Sequence, residues 1–384
     1  MTARARLAAL VGLLGALLCV VGAFVDPRRA AAAYLVAYAA GVSAALGALS
    51  LVMIGRLSNA TWLVVPRRLF ERVAWTLPLF ALLAIPLLVA IPVLYPWTWP
   101  ASRLAPDVAS AVARKTAYLN VPFFVARAVL YLATWVLLGE AMRRASLRQD
   151  AGPDAAATRR LYRLSAGGLP ALALTLTFAS FDWLMSLSPA WYSTIYGATW
   201  WAGGVVGALA LVGVLAHRAQ RGAMAEVLTT SHFHAIGKLL LTFVMLWAYF
   251  AFSQLLIIWI ARIPVEADWY AVRARGDWGV VSGVLLFGHF VLPFLALLPR
   301  WTKRHPGTLA ALCWWLLAMH WLDTYWLVMP ELTPAGLAPH WLDLAALLAV
   351  AGLATAFGAW RGRDAATVPR GDPQLGASLE YDVA

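Results

Sequence analysis

The chain has 384 residues, 62% of them hydrophobic and only 12% charged. Soluble domains carry about one quarter charged residues, so a water-soluble globular enzyme is excluded. The formal net charge of +12 is distributed in a way that also excludes a nucleic-acid binder, as its placement along the chain shows.

Apolar runs of about 20 residues, the length that crosses a bilayer as helix, recur ten times. They cover 6–25, 30–54, 69–94, 118–142, 161–186, 191–216, 233–261, 278–298, 307–329 and 341–360. The expected fold is all-α: a polytopic membrane protein with about ten transmembrane helices. The first run has a basic start but is followed by "FVDPRR" without a small-x-small cleavage site, so it reads as a retained helix rather than a signal peptide. With the N-terminus placed in the cytoplasm, 20 of the 30 basic residues fall on cytoplasmic segments and eight on the other side. That asymmetry follows the positive-inside rule and puts both termini in the cytoplasm. Cys19 and Cys313 both lie in apolar runs and offer neither a disulfide framework nor metal-ligand spacing.

After the third run, "YPWTWP" opens the outer connection 95–117 as an interfacial aromatic anchor. The fourth helix holds Arg127 near its middle and Glu140 toward its inner end. Thirteen residues of helix separate them, about 20 Å, too far for a direct pair, so Arg127 requires a partner from another helix or a wet cavity. A polar linker, 143–160, leads to the fifth helix. That helix ends in "SFDWLMSLSPAWYSTIYG" (Ser180–Gly197), where Asp182 sits at a helix C-terminus. A carboxylate there opposes the helix dipole and calls for compensation. The surrounding aromatics suit an interface belt.

On the seventh helix, Lys238, Thr242, Met245, Tyr249 and Ser253 recur at helical spacing on one face, with Gln254 beside them. Two readings stand: half of a proton wire about 22 Å long, or a snorkelling lysine with hydroxyls bonded locally. The outer connection 262–277 carries Pro264, Glu266, Asp268, Trp269, Tyr270 and Asp277. His289 lies mid-helix in the eighth run. The ninth carries His320 with Asp323 and Thr324 at i+3 and i+4, a histidine placed to be oriented by a carboxylate or simply to pack with it. The pair His289 and His320 could also face a haem, although a two-haem cytochrome would need four such histidines.

Asp182 precedes Pro189 by seven residues, and Asp323 precedes Pro330 by seven; "VPFF" at Val121–Phe124 is echoed by "LPFL" at Leu292–Leu295. Both offsets are four helices, which suggests two parallel four-helix units. The expected organisation is a first helix in 1–29, one bundle in 30–187, a second in 188–330, a last helix in 331–361 and a poorly ordered tail in 362–384.

Four stretches in order, "SFDWLMSLSPAWYSTIYG", "GKLLLTFVMLWAYFAFSQLLIIW" (Gly237–Trp259), "HFVLPFLALLPR" (His289–Arg300) and "LDTYWLVMP" (Leu322–Pro330), resemble the F-type membrane subunit of alternative complex III. That complex is a bacterial quinol:cytochrome c (electron-acceptor) oxidoreductase. The likeness covers 180–330, and the architecture more distantly resembles the polysulfide-reductase membrane subunits. The resemblance implies two four-helix bundles flanked by single helices in the bacterial inner membrane. It implies a subunit that is not catalytic alone and binds no haem or iron–sulfur centre itself. Those centres are expected in partner subunits, alongside a paralogous membrane subunit. Asp182, Lys238, His289 and Asp323 are the ionisable positions in the matched stretches. Proton-route candidates are Lys238, Thr242, Tyr249 and Ser253, together with Arg127 and Glu140, which lie outside the matched stretches and rest on the reading of the residues alone. Candidates for an outer-side quinone or quinol contact are Asp182, His320, Asp323 and His289. A secondary transporter, which would also show a repeat and intramembrane charges, is the alternative. No nucleic-acid partner is expected.

Overall fold

The structure, a computed structural model, describes residues 3–261 and 264–382. Arg262, in the 262–277 connection, and the last two residues of the tail lie outside the described residues, as do the side chains of Pro264 and Val265. The chain is 81% helical, with no strand among the described residues.

Ten long helices run in order: α1 Ala3–Val25, α2 Pro27–Leu57, α3 Arg67–Val89, α4 Val121–Arg148, α5 Ala155–Trp183, α6 Tyr196–Gln220, α7 Thr230–Ala261, α8 Gly276–Leu297, α9 Pro306–Val328 and α10 Trp341–Arg361. Among the described residues, nine of these are long and apolar enough to cross a membrane, and the protein is a multi-pass membrane protein. The exception is α9. Its 23 residues span about 34 Å at 1.5 Å each, so length is not the obstacle. Composition is: His320, Asp323 and Thr324 sit among four tryptophans and a tyrosine, and the three polar residues are all buried. A helix that directs its polar residues at its neighbours can lose mean hydropathy without exposing polarity to lipid.

Packing follows two rings. Helices α2, α3, α4 and α5 contact one another in sequence, and α5 closes back onto α2; α6, α7, α8 and α9 do the same, with α9 closing onto α6. The rings meet where α2 lies against α6. At that crossing, Gly47 and Gly204 face each other: a Cβ on Gly47 would stand 2.5 Å from the Gly204 carbonyl oxygen, and one on Gly204 2.5 Å from the Ser43 carbonyl oxygen. In a membrane, where no hydrophobic force drives helices together, such close backbone contact supplies the packing energy. Outside the rings, α1 lies along α10 and buries little beyond Ala5, Gly12, Gly15 and Gly22. Its leucines point outward.

Two helices are irregular, each for a sequence reason. Pro78, Pro86 and Pro92 divide α3 and the turn that follows into short segments, since each removes a ladder donor. In α8, a π-helical stretch spans Leu285–Val291. Its i→i+5 pattern would send the Gly288 carbonyl to residue 293, which is a proline without an N–H. The Trp315 indole of α9 donates to that carbonyl instead, at 2.7 Å.

The helix ends define a basic face, which holds the start of α1, and an opposite face. The tail after α10, expected to be poorly ordered, is instead docked on the basic face. Asp372 pairs with Arg67 at 2.7 Å and Arg56 at 3.6 Å. The Ser378 hydroxyl accepts from the Val65 backbone N–H, its carbonyl meets His232 Nε2 at 3.1 Å, and Ser231 bonds Asp382. A terminus is ordered when something ties it down, and here the ties are polar contacts to residues well over 100 positions away in sequence.

Candidate functional site

The two bundles each bury one aspartate near the opposite face, at the end of the last helix of the ring. Their surroundings differ.

In the first bundle Asp182, 1% exposed, forms a two-pronged pair with Arg127 of α4. Arg127 Nε donates to Oδ2 at 2.8 Å and Nη2 to Oδ1 at 2.9 Å. The Tyr131 hydroxyl adds a third bond to Oδ2 at 2.8 Å, and the remaining guanidinium nitrogen donates to the Tyr118 carbonyl. The rings of Tyr118 and Phe123 lie over the guanidinium at 3.8 and 4.3 Å. The fork geometry is the strong form of such a pair, and the aromatic faces add cation–π attraction. Thus the two residues that each required compensation supply it to one another. The Tyr118 phenol, in the connection before α4, is pushed up to about 12, first by burial and next by the Asp182 carboxylate. In the same bundle Tyr95 stacks on Trp97, Phe124 packs tilted against both, and Trp135 meets Trp183 edge to face.

In the second bundle Asp323 has no such partner. Its Oδ2 accepts one bond, from the Trp247 indole of α7 at 3.2 Å, and no cation pairs with it among the described residues. The His289 ring, on the π-helical turn of α8, stacks on Trp247 with centroids 4.1 Å apart and planes within 5°. Both nitrogens of His289 lack a hydrogen bond, although the Met319 carbonyl lies close by. His320 reaches across to α2, where Nε2 is 3.1 Å from the Ala40 carbonyl and 3.2 Å from the Ser43 hydroxyl. A carbonyl only accepts, so these partners assign the proton to Nε2. That leaves His320 Nδ1 without a partner. A Cβ on Gly203 would stand 3.3 Å from Asp323 Oδ2 and 3.6 Å from His320 Nδ1; both groups pack against α6 at that glycine. Gly207, one turn on, makes room for the imidazole itself, since a Cβ there would fall 2.7 Å from its Cδ2.

Over the opposite-face end of this bundle lies a short helix, Pro264–Arg273. Arg273 is buried, donates to the carbonyls of Trp326 and Leu327 and to Glu331, and lies 3.5 Å over the Trp269 ring. Burial pulls its guanidinium below the usual value, against the pull of Glu331. Trp269 in turn stacks on Trp191 of the Ser180–Gly197 hairpin at 4.3 Å. Trp191 of the hairpin is therefore buried cover between the two bundles, whereas Tyr192 beside it is exposed.

The other candidates are placed as follows. Lys238, Thr242, Met245 and Tyr249 do share one face of α7, and that face points away from the bundle. Ser253 is half-buried. The Thr242 and Ser253 hydroxyls are spent within their own helix, on the carbonyls of Lys238 and Phe250. A track enclosed by this chain is thus not what the stripe forms. Glu140 bonds Arg361 of α10 and pairs with Arg143 and Arg144, clamping two helices at the basic face. No hydrogen bond or ion pair joins Asp182 to His320 or Asp323 among the described residues, so the quinone candidates divide between two bundles.

Sequence reasoning missed Trp247, Ser43, Tyr131 and Arg273. Trp247 carried a usable signal: it stands seven residues before Gln254, on the side of α7 away from the exposed stripe, and both are buried. Ser43 is one of two serines in the long alanine-rich run of α2.

Class follows from this much: a multi-pass helical membrane protein with one satisfied and one unsatisfied buried polar cluster. Comparison of the chain with protein-family models and with curated proteins finds no match.

Proposed function

We propose that this chain is a membrane subunit of a quinol-oxidising respiratory complex of the alternative complex III type, and that its second bundle carries the proton-handling site. The observation that carries the reading is the cluster of Asp323, His320, His289 and Trp247: buried ionisable groups with vacant hydrogen-bonding positions and no counter-charge. An ionisable residue inside a membrane is expensive, and its default explanation is a role in proton or substrate handling. The motif resemblance of 180–330 gives that role its chemical setting.

A bound quinol would supply electrons to partner subunits and protons to acceptors on this chain. Asp323 and His320 Nδ1 are acceptors of the right kind, and Trp247 fixes the orientation of the Asp323 carboxylate. The π-helical turn and the stacked indole hold His289 beside them. Haem and iron–sulfur centres belong, on this reading, to partner subunits on the side opposite the basic face. The excess of arginine on the basic face supports a cytoplasmic placement of that face and both termini, and the motif resemblance supports a bacterial inner membrane.

Gentle solubilisation of native membranes, purification through this chain and identification of its companions tests the assignment. Haem-bearing and iron–sulfur-bearing subunits with quinol oxidation activity are expected. A chain that purifies alone and moves a solute when reconstituted is a secondary transporter, and the assignment fails.

A further inference from the structure

On the basic face, where α2 ends, α3 begins and the docked tail passes, lies a cavity of about 110 Å³ that none of the preceding argument uses. It is large enough for several waters or one tetrahedral oxyanion. Arg56 and Arg67 line it, with Asn59, Thr158, Tyr162 and Asp372. The Arg56 side chain is 9% exposed and that of Arg67 3%. Each guanidinium spends one nitrogen on Asp372, and Arg67 also approaches Glu71 at 3.4 Å. Both nevertheless keep Nε and Nη2 buried without a hydrogen bond.

The imbalance is one of donors. Glu71 is shared with Arg68 and with the Ser146 hydroxyl, and Asp150 is taken by Arg68. Apart from the 3.4 Å approach of Arg67 Nε to Glu71, no carboxylate pairs with these buried guanidinium nitrogens. Buried donors without acceptors are costly, and two guanidiniums lining one small cavity suit the oxygens of a phosphate. The same turn of α5 that supplies Thr158 and Tyr162 carries Arg159, Arg160 and Arg163, which raise the local positive potential. The cavity lies at helix ends, between the end of α2 and the start of α3, and basic pockets between helix ends are where lipid headgroups bind.

We propose that Arg56 and Arg67 form a binding site for a phosphate group, contributed either by an anionic phospholipid headgroup or by a free phosphate ion. Asp372 orients the two guanidiniums, so the docked tail becomes one wall of the site. The proposal is independent of the respiratory assignment.

The test uses the full-length protein in detergent micelles. Thermal unfolding is followed with added sodium phosphate and, separately, with phosphatidylglycerol, against phosphatidylcholine and sodium chloride as controls. A rise in Tm with phosphatidylglycerol but not phosphate supports the headgroup source, and a rise with phosphate alone supports the free ion. Arg56→Gln should weaken the effective ligand by about tenfold or more. Ala60→Phe, which fills the cavity and leaves every ion pair intact, should abolish the response and guards against a misfolded arginine variant. No response of the native chain to either phosphate probe beyond the controls overturns the proposal, as does a response that survives Ala60→Phe.

Discussion

Asp182 and Asp323 end equivalent helices of two similarly built bundles, and both are buried, yet one is paired and the other is not. Asp182 meets a guanidinium fork and a tyrosine hydroxyl. Asp323 meets one indole, with unpartnered imidazole nitrogens nearby. A carboxylate with its charge matched by a fixed cation is a strut. A carboxylate with only a neutral donor is a place where a proton can bind and leave. Corresponding positions in the two bundles thus have different surroundings, which position alone would not have revealed.

Removing the strut should have the largest effect on stability. Arg127→Leu leaves Asp182 buried without a cation and should cost about 3–5 kcal/mol. Adding Asp182→Leu to it should recover a large part of that loss. Unfolding in mixed micelles checks both, and a double variant as unstable as the single would break the comparison. Next in size is Gly207→Ala, whose Cβ would crowd His320 Cδ2. Forcing the imidazole from its Ala40 and Ser43 partners should cost about 1–3 kcal/mol. Asp323→Asn should change stability by no more than about 1 kcal/mol, because the amide oxygen still accepts from Trp247 and its N–H₂ can donate to a vacant imidazole nitrogen. Quinol turnover of the assembled complex should nevertheless fall by at least about tenfold, a loss of the kind a missing general base causes. Smallest is Lys238→Met, on the outward face of α7. It should alter the stability of the isolated chain by less than about 0.5 kcal/mol, and a large loss there would mean that the stripe belongs to the interior after all.

The helical class, the ten helical runs and the unusual character of Asp182, Arg127, His320 and Asp323 were legible in the sequence, because polar groups stand out against a nearly unbroken apolar background. Pairing was not. Arg127 and Asp182 lie 55 residues apart on adjacent antiparallel helices, and helical spacing reports only neighbours on one helix. For the same reason the α7 stripe looked like a conduit: periodicity groups residues on a face but does not say which way the face points. Only packing reveals that Trp247 takes the inward side. The tail misled differently. Its Gly- and Pro-containing composition suggests disorder, whereas its order comes from Asp372 and Ser378 meeting groups on α2, α7 and the segment before α3, contacts that local composition cannot encode.

The most direct measurement is infrared difference spectroscopy of the purified chain across a pH titration, following the carbonyl stretch of a protonated carboxylic acid. The band that appears and disappears should vanish in Asp323→Asn. If it persists unchanged in that variant, Asp323 is not the exchanging group, and the division between a fixed pair in the first bundle and a proton site in the second is wrong.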